Sequence, residues 1–134
     1  MCMRKIHTGD LVGRRFVEGG RDVQTGVDCW GLVMEVYRRF GMDIPDFTVD
    51  SFAFRQIHDL VEYSTCTGNW DEVQTPTDED APLVVLMRIH PALITHAGVW
   101  LGHGKMIHTM KGTGVVVSHV DKFRSRIAGY YRYV

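Results

Sequence analysis

Apolar and polar positions along the chain first mark one helix. Cys29, Leu32, Val33, Val36, Tyr37 and Phe40 recur at i, i+3, i+4, i+7, i+8 and i+11, which is a single helical face. Asp28 suits the N-cap of that helix, and Arg38, Arg39 and Gly41 suit its end. A second helix is predicted from a cap at Asp50 or Ser51 through Phe54, Ile57 and Val61, followed by a polar loop from Thr65 to Asp80. Beyond it the period changes to that of strands. Pro82 to Ile89 is continuously apolar, Thr95 to Leu101 and Met106 to Met110 alternate, Val115 to Val120 is rich in valine, and Ile127 to Val134 carries three tyrosines. Gly102-His103-Gly104 and Lys111-Gly112-Thr113-Gly114 supply turns. Helices followed by an antiparallel meander define an α+β class.

Composition narrows this picture. The 134 residues, 45% of them hydrophobic, suit a single domain, and no repeat or linker divides them. The 15 basic and 16 acidic side chains form no basic stripe, which argues against a nucleic-acid partner. No run reaches the length of a membrane span, and Met1 to His7 lacks the apolar core of a signal peptide, so the expected place of synthesis is the cytoplasm. The three cysteines, Cys2, Cys29 and Cys66, lie far apart without metal-ligand spacing, so neither a disulfide framework nor a metal site is expected.

Cys29 differs from the other two in its context. As the first helical residue after an Asp28 cap it meets unpaired N–H groups and the positive end of the helix dipole. Such a position, with an imidazolium nearby, lowers a thiol pKa from ~8.5 toward or below neutrality and makes the thiolate a nucleophile. The base must then come from the strand half. Of the seven histidines, His7, His58 and His90 sit in polar or loop contexts, His103 at a turn tip, and His119 on the solvent side of a strand. His96 and His108 lie within strands among small or apolar neighbours.

A three-residue Gly102-His103-Gly104 loop would set Leu101 opposite Lys105 and Gly98 opposite His108. His96 and His108 would then be diagonal neighbours on one face, roughly 7–8 Å apart along the backbone. Gly98 would leave space beside the His108 ring. A two-residue His103-Gly104 turn would shift the pairing by one and separate the rings. With the Cys29 helix packed against the histidine face, the three residues would form a Cys/His/His site; two satisfied polar residues in a half-buried sheet is the plainer alternative.

Asp28-Cys29-Trp30-Gly31-Leu32-Val33, followed by His96-Ala97-Gly98-Val99-Trp100-Leu101-Gly102-His103-Gly104-Lys105-Met106-Ile107-His108, resembles the NlpC-type cell-wall peptidases, which are papain-like cysteine endopeptidases. The likeness runs from about Gly13 to the C-terminus. It implies N-terminal helices packed on a central antiparallel β-sheet, with Cys29 as nucleophile, His96 as general base and His108 as the residue that orients it. It implies hydrolysis of an amide in a peptidoglycan stem peptide, between D-isoglutamate and a diamino acid, without cofactor or metal. Trp30 and the Arg38-to-Phe47 continuation are similar to the phage and prophage tail-associated branch, which would add tail proteins as partners and a virion as the route to the wall. A tail-assembly or binding protein that keeps the fold, and a papain-like amidase or acyltransferase, are the alternatives.

Two departures from the family pattern stand out. Phe16 occupies the position where relatives carry a tyrosine whose hydroxyl serves the oxyanion, a donor worth ~10²–10³ in rate. Glu79-Asp80-Ala81-Pro82 stands where the family has Gly-Asp before the first core strand. Asp28 is expected to cap rather than to catalyse. Trp30 either touches substrate at the cleft mouth or covers the core.

Overall fold

The computed structural model describes residues 6–46, 70–88 and 96–134. After an irregular N-terminal segment, the two-residue strands β1 (Arg21–Asp22) and β2 (Gly26–Val27) form a small ribbon that leads directly into helix α1 (Cys29–Arg39). Strands β3 (Trp70–Val73), β4 (Leu83–Met87), β5 (His96–Gly102), β6 (Lys105–Met110), β7 (Gly114–His119) and β8 (Ile127–Tyr133) follow, with 3-10 turns at Asp78–Asp80 and Val120–Arg126. The helix and the last five strands lie where the hydrophobic periods place them. The expected second helix, from Asp50 or Ser51 to Val61, lies outside the described residues.

The six-stranded sheet is antiparallel, in the order β3-β8-β4-β5-β6-β7. It is therefore not a simple meander. The last strand returns to pair with the first core strand, and β3 adds itself outside β8. β3 falls inside the expected polar loop because Asp71 and Glu72 hide its period. Its anchor is Trp70, which meets Trp30, Tyr37 and Tyr133 edge-on with ring centroids 6.2, 6.1 and 5.0 Å apart. Those contacts tie the helix to the far edge of the sheet through aromatic burial.

Each face of the sheet has its own apolar cluster. Leu32, Val33 and Val36 of α1, all fully buried, pack with Val84, Leu86, Ala97, Val99, Ile107 and Val115. Each such side chain contributes roughly 1.5–3 kcal/mol by leaving water. Leu83, Val85, Met87, Trp100 and Met106 point the other way, toward Val120, Phe123, Ile127 and Tyr130.

The entry to α1 is built on close backbone approach. The Asp28 side chain accepts from the Gly31 N–H at 2.8 Å, which is the cap predicted for it. Asp28 also accepts from the Gly19 N–H at 3.1 Å and from Arg21 Nη1 at 2.6 Å, binding the preceding loop to the same carboxylate. Gly31 is a glycine for a steric reason, since a Cβ there would stand 2.2 Å from the Gly20 carbonyl oxygen. Gly31→Ala must therefore push the loop off the helix. Its urea midpoint should fall by the equivalent of about 1–3 kcal/mol, the usual cost of overpacking, and an unchanged midpoint would refute the tight approach.

Candidate active site

Cys29 is the first residue of α1 and only 8% exposed. Among the described residues no acceptor takes its backbone N–H, as befits the first turn of a helix. The sulfur is acted on by the backbone N–H groups of Ala97 and Trp30, so it sits beside the residue that follows His96.

The two histidines meet as the register predicts, though by another route. His103 (φ 55°) and Gly104 (φ 73°) are both left-handed and form a two-residue turn, with Gly102 opposite Lys105. Alone, this turn would have sent the rings to opposite faces. One extra residue at Leu101 bulges out of the ladder, and the pairing resumes as Trp100↔Met106 and Val99↔Ile107. One step further, Gly98 comes opposite His108, and a Cβ on Gly98 would lie 3.0 Å from the His108 Cβ. His96 Nε2 and His108 Nδ1 are 3.1 Å apart, both residues buried.

The face they share requires a correction. His96 pairs with Met87, and His108 packs edge-on against Phe123 at 5.2 Å, which places both rings on the side away from α1. The expectation that the Cys29 helix packs against the histidine face does not hold. α1 covers the alternate residues Ala97 and Val99, whose side chains are small or apolar, so Cys29 approaches His96 along the backbone at the start of β5 rather than from above the rings.

A resting thiolate–imidazolium pair is likewise not what the surroundings favour. Burial, reinforced by the Asp28 carboxylate, pushes the Cys29 thiol up to about 11, against the smaller opposing effects of the Ala97 and Trp30 N–H groups and Arg21. Burial, with His108 alongside, holds His96 down to about 3, and burial lowers His108 too. The dipole and amides at the helix start are outweighed by desolvation. Burial therefore favours the neutral thiol and the neutral imidazole.

The other expected site residues sort themselves clearly. Trp30 is 7% exposed, donates its indole N–H to the Pro45 carbonyl at 2.9 Å and stacks edge-on with Trp70, so it covers the core. Phe16 is half-buried in an isolated parallel bridge with Val27, two residues before Cys29. His7, His103 and His119 are exposed, and His58 and His90 lie outside the described residues. Two participants escaped the sequence. Arg21 holds Asp28, and Ser118 Oγ lies 3.0 Å from His108 Nε2. The signal for Ser118 was the β6–β7 register, which can be counted across the Lys111–Gly114 turn. Among the described residues no cluster of three metal-ligating side chains occurs.

A helix bearing a cysteine at its N-terminus, set beside an antiparallel sheet bearing a paired histidine dyad, is the arrangement of a papain-like cysteine peptidase fold. Residues 13–129 match the NlpC/P60 family, and the chain belongs to it. Solved structures agree on the fold. The NlpC/p60 domain of the peptidoglycan hydrolase SagA is 25% identical, with a TM-score of 0.58 over 93% of this chain and 91% of that domain. An NlpC2 structure from Trichomonas vaginalis is 16% identical (TM-score 0.61, 92% of this chain, 43% of that one). A lipoprotein-like NLP/P60 protein from Staphylococcus aureus is 20% identical (TM-score 0.57, 93% and 38%). The chain thus spans less than half the length of these last two. No curated protein sequence matches it.

Two measurements test the neutral site. Iodoacetamide labelling of Cys29, followed by peptide mass mapping, should accelerate as pH rises toward about 11, with no plateau on the acid side. A rate already at its plateau below pH ~6 would reveal a preformed thiolate. For stability the sign follows from the lowered imidazole. Neutral burial of His96 stabilises the fold above its ordinary value of 6.5, and that contribution is lost as pH falls through about 3. Each histidine that takes up a proton only on unfolding costs ~1.4 kcal/mol per pH unit across this window, so the urea midpoint should decline on acidification, less steeply in His96→Gln.

Proposed function

We propose that this chain is a cysteine peptidase that hydrolyses an amide in peptidoglycan stem peptides, of the D-γ-glutamyl to diamino acid type. The observation that carries the reading is the buried 3.1 Å contact between His96 and His108, with the thiol that opens α1 held against the backbone N–H of Ala97, the residue after His96. Membership of the NlpC/P60 family and the likeness to the SagA hydrolase domain support the substrate class. In this mechanism the Cys29 thiol gives its proton to His96 Nδ1 and the sulfur attacks the scissile carbonyl. The Cys29 backbone N–H, free at the helix start, donates to the developing oxyanion. His96 then protonates the leaving amine, and a water deprotonated by His96 releases the acyl group. The Nδ1 of His108 orients His96 by its contact with the His96 Nε2. We propose a phage tail as the delivery route, on the likeness of Trp30 and of residues 38–47 to that branch.

A catalytically weak binding module is the second reading, favoured by the absence of a hydroxyl at Phe16 and by the protonated resting thiol.

Incubation with defined muropeptides and mass spectrometry of the products tests both readings. New peptide ends should arise with the parent protein and vanish in Cys29→Ala; intact muropeptides with the parent protein would favour the binding module. Phe16→Tyr should restore the missing donor and raise kcat by up to ~10²-fold with KM little changed. A rate that stays flat would mean another group already fills the oxyanion site.

A further inference from the structure

The geometry points to Ser118 as a positioning residue that fixes which nitrogen of each histidine carries the proton, an inference whose kinetic consequence rests on the hydrolase reading. In the β6–β7 ladder His108 faces Val116 and Met106 faces Ser118, so His108 and Ser118 are diagonal neighbours on one face. His96 and His108 stand in the same relation one strand earlier. Two diagonal steps therefore carry a continuous line across β5, β6 and β7. It runs from His96 Nε2 to His108 Nδ1 at 3.1 Å, and from His108 Nε2 to Ser118 Oγ at 3.0 Å. Phe123 closes against the His108 ring at 5.2 Å, so both nitrogens of His108 are committed to this line.

With both rings neutral, the line has two polarities. In one, His96 Nε2–H donates to His108 Nδ1, His108 Nε2–H donates to Ser118 Oγ, and His96 Nδ1 is a bare lone pair. In the other, Ser118 donates to His108 Nε2, His108 Nδ1–H donates to His96 Nε2, and His96 carries its proton on Nδ1. Only the first lets Nδ1 accept the Cys29 proton. After that transfer His96 holds protons on both nitrogens and His108 stays neutral, its Nδ1 lone pair facing the new cation. In the second polarity the His96 Nδ1 already carries a hydrogen, and the dyad has no base to offer the thiol. Ser118 is half-buried, so its hydroxyl hydrogen can turn to water while the oxygen accepts from His108. Accepting is the role that fits, and it sets the base.

Ring 15N shifts of His96 and His108 in the resting protein read the tautomers directly, without substrate. The wild type should show Nε2–H on both rings. Ser118→Ala should mix in the Nδ1–H forms, and Ser118→Thr, which keeps a hydroxyl, should restore the wild-type pattern. If the parent protein cleaves muropeptides, Ser118→Ala should lower kcat by on the order of tenfold or more with KM unchanged, as expected when a catalytic imidazole is held in the wrong tautomer. An unchanged 15N pattern in Ser118→Ala overturns the inference, as does a changed pattern with undiminished kcat in an active protein. A changed pattern in a parent protein that cleaves no muropeptide supports Ser118 and removes the hydrolase reading instead.

Discussion

The site depends on one displaced residue. Leu101 leaves the β5–β6 ladder, and this alone makes a two-residue turn compatible with two imidazoles on the same face. Without the bulge the turn at His103-Gly104 would put His96 and His108 on opposite sides of the sheet, because side chains alternate with period two. The hairpin tip is fixed from outside as well. Asp78 accepts from the His103 backbone N–H at 2.6 Å, and its backbone lies within 3.4 Å of where a Gly102 Cβ would be. The register that assembles the dyad at one end of β5 is thus secured at the other end, by the 3-10 turn before β4.

The same economy governs the helix start. The Asp28 carboxylate caps α1, holds the Gly19 N–H and pairs with Arg21, which in turn reaches Asp46 at 2.8 Å. These contacts keep the loop before Cys29 against the helix, and Gly31 allows the Gly20 carbonyl to come near enough. Asp28 also opposes ionisation of the neighbouring thiol, while Arg21 favours it. The order of the loop is therefore set by one buried carboxylate with a cationic partner, and the same pair modulates a thiol that burial already holds neutral.

Much of this was legible beforehand, and the rest was hidden for definite reasons. The α1 face from Cys29 to Phe40 and the strands around His96 and His108 followed from periods of 3.6 and 2, which burial enforces. β3 escaped because four residues with two adjacent carboxylates carry no period, and its place is decided by Trp70 packing at long range. The pairing of β8 with β4 escaped because sequence order says nothing of which edge a returning strand joins. Gly98 opposite His108 was reached correctly from a turn of the wrong length, since the bulge cancels the difference. The charge state of the site escaped because a helix dipole can be read from one residue's position, whereas desolvation depends on the whole enclosure.

That enclosure bears on how the proposed chemistry would proceed. Burial opposes a charge on Cys29 and a charge on His96, each considered alone. Proton transfer between them creates both at once, and their mutual attraction in a low-dielectric site offsets part of the desolvation of each. The Ala97 and Trp30 N–H groups add to that offset at the sulfur. What remains is the difference between a neutral resting site and an ionic reacting one. In the proposed hydrolysis a substrate carbonyl bound at the start of α1 would close this gap further, because negative charge would pass from sulfur to an oxygen that the helix N-terminus can hold. In the proposed mechanism nucleophile and base would be activated together with the attack, and a buried thiol that stays protonated in its absence is shielded from stray alkylation and oxidation.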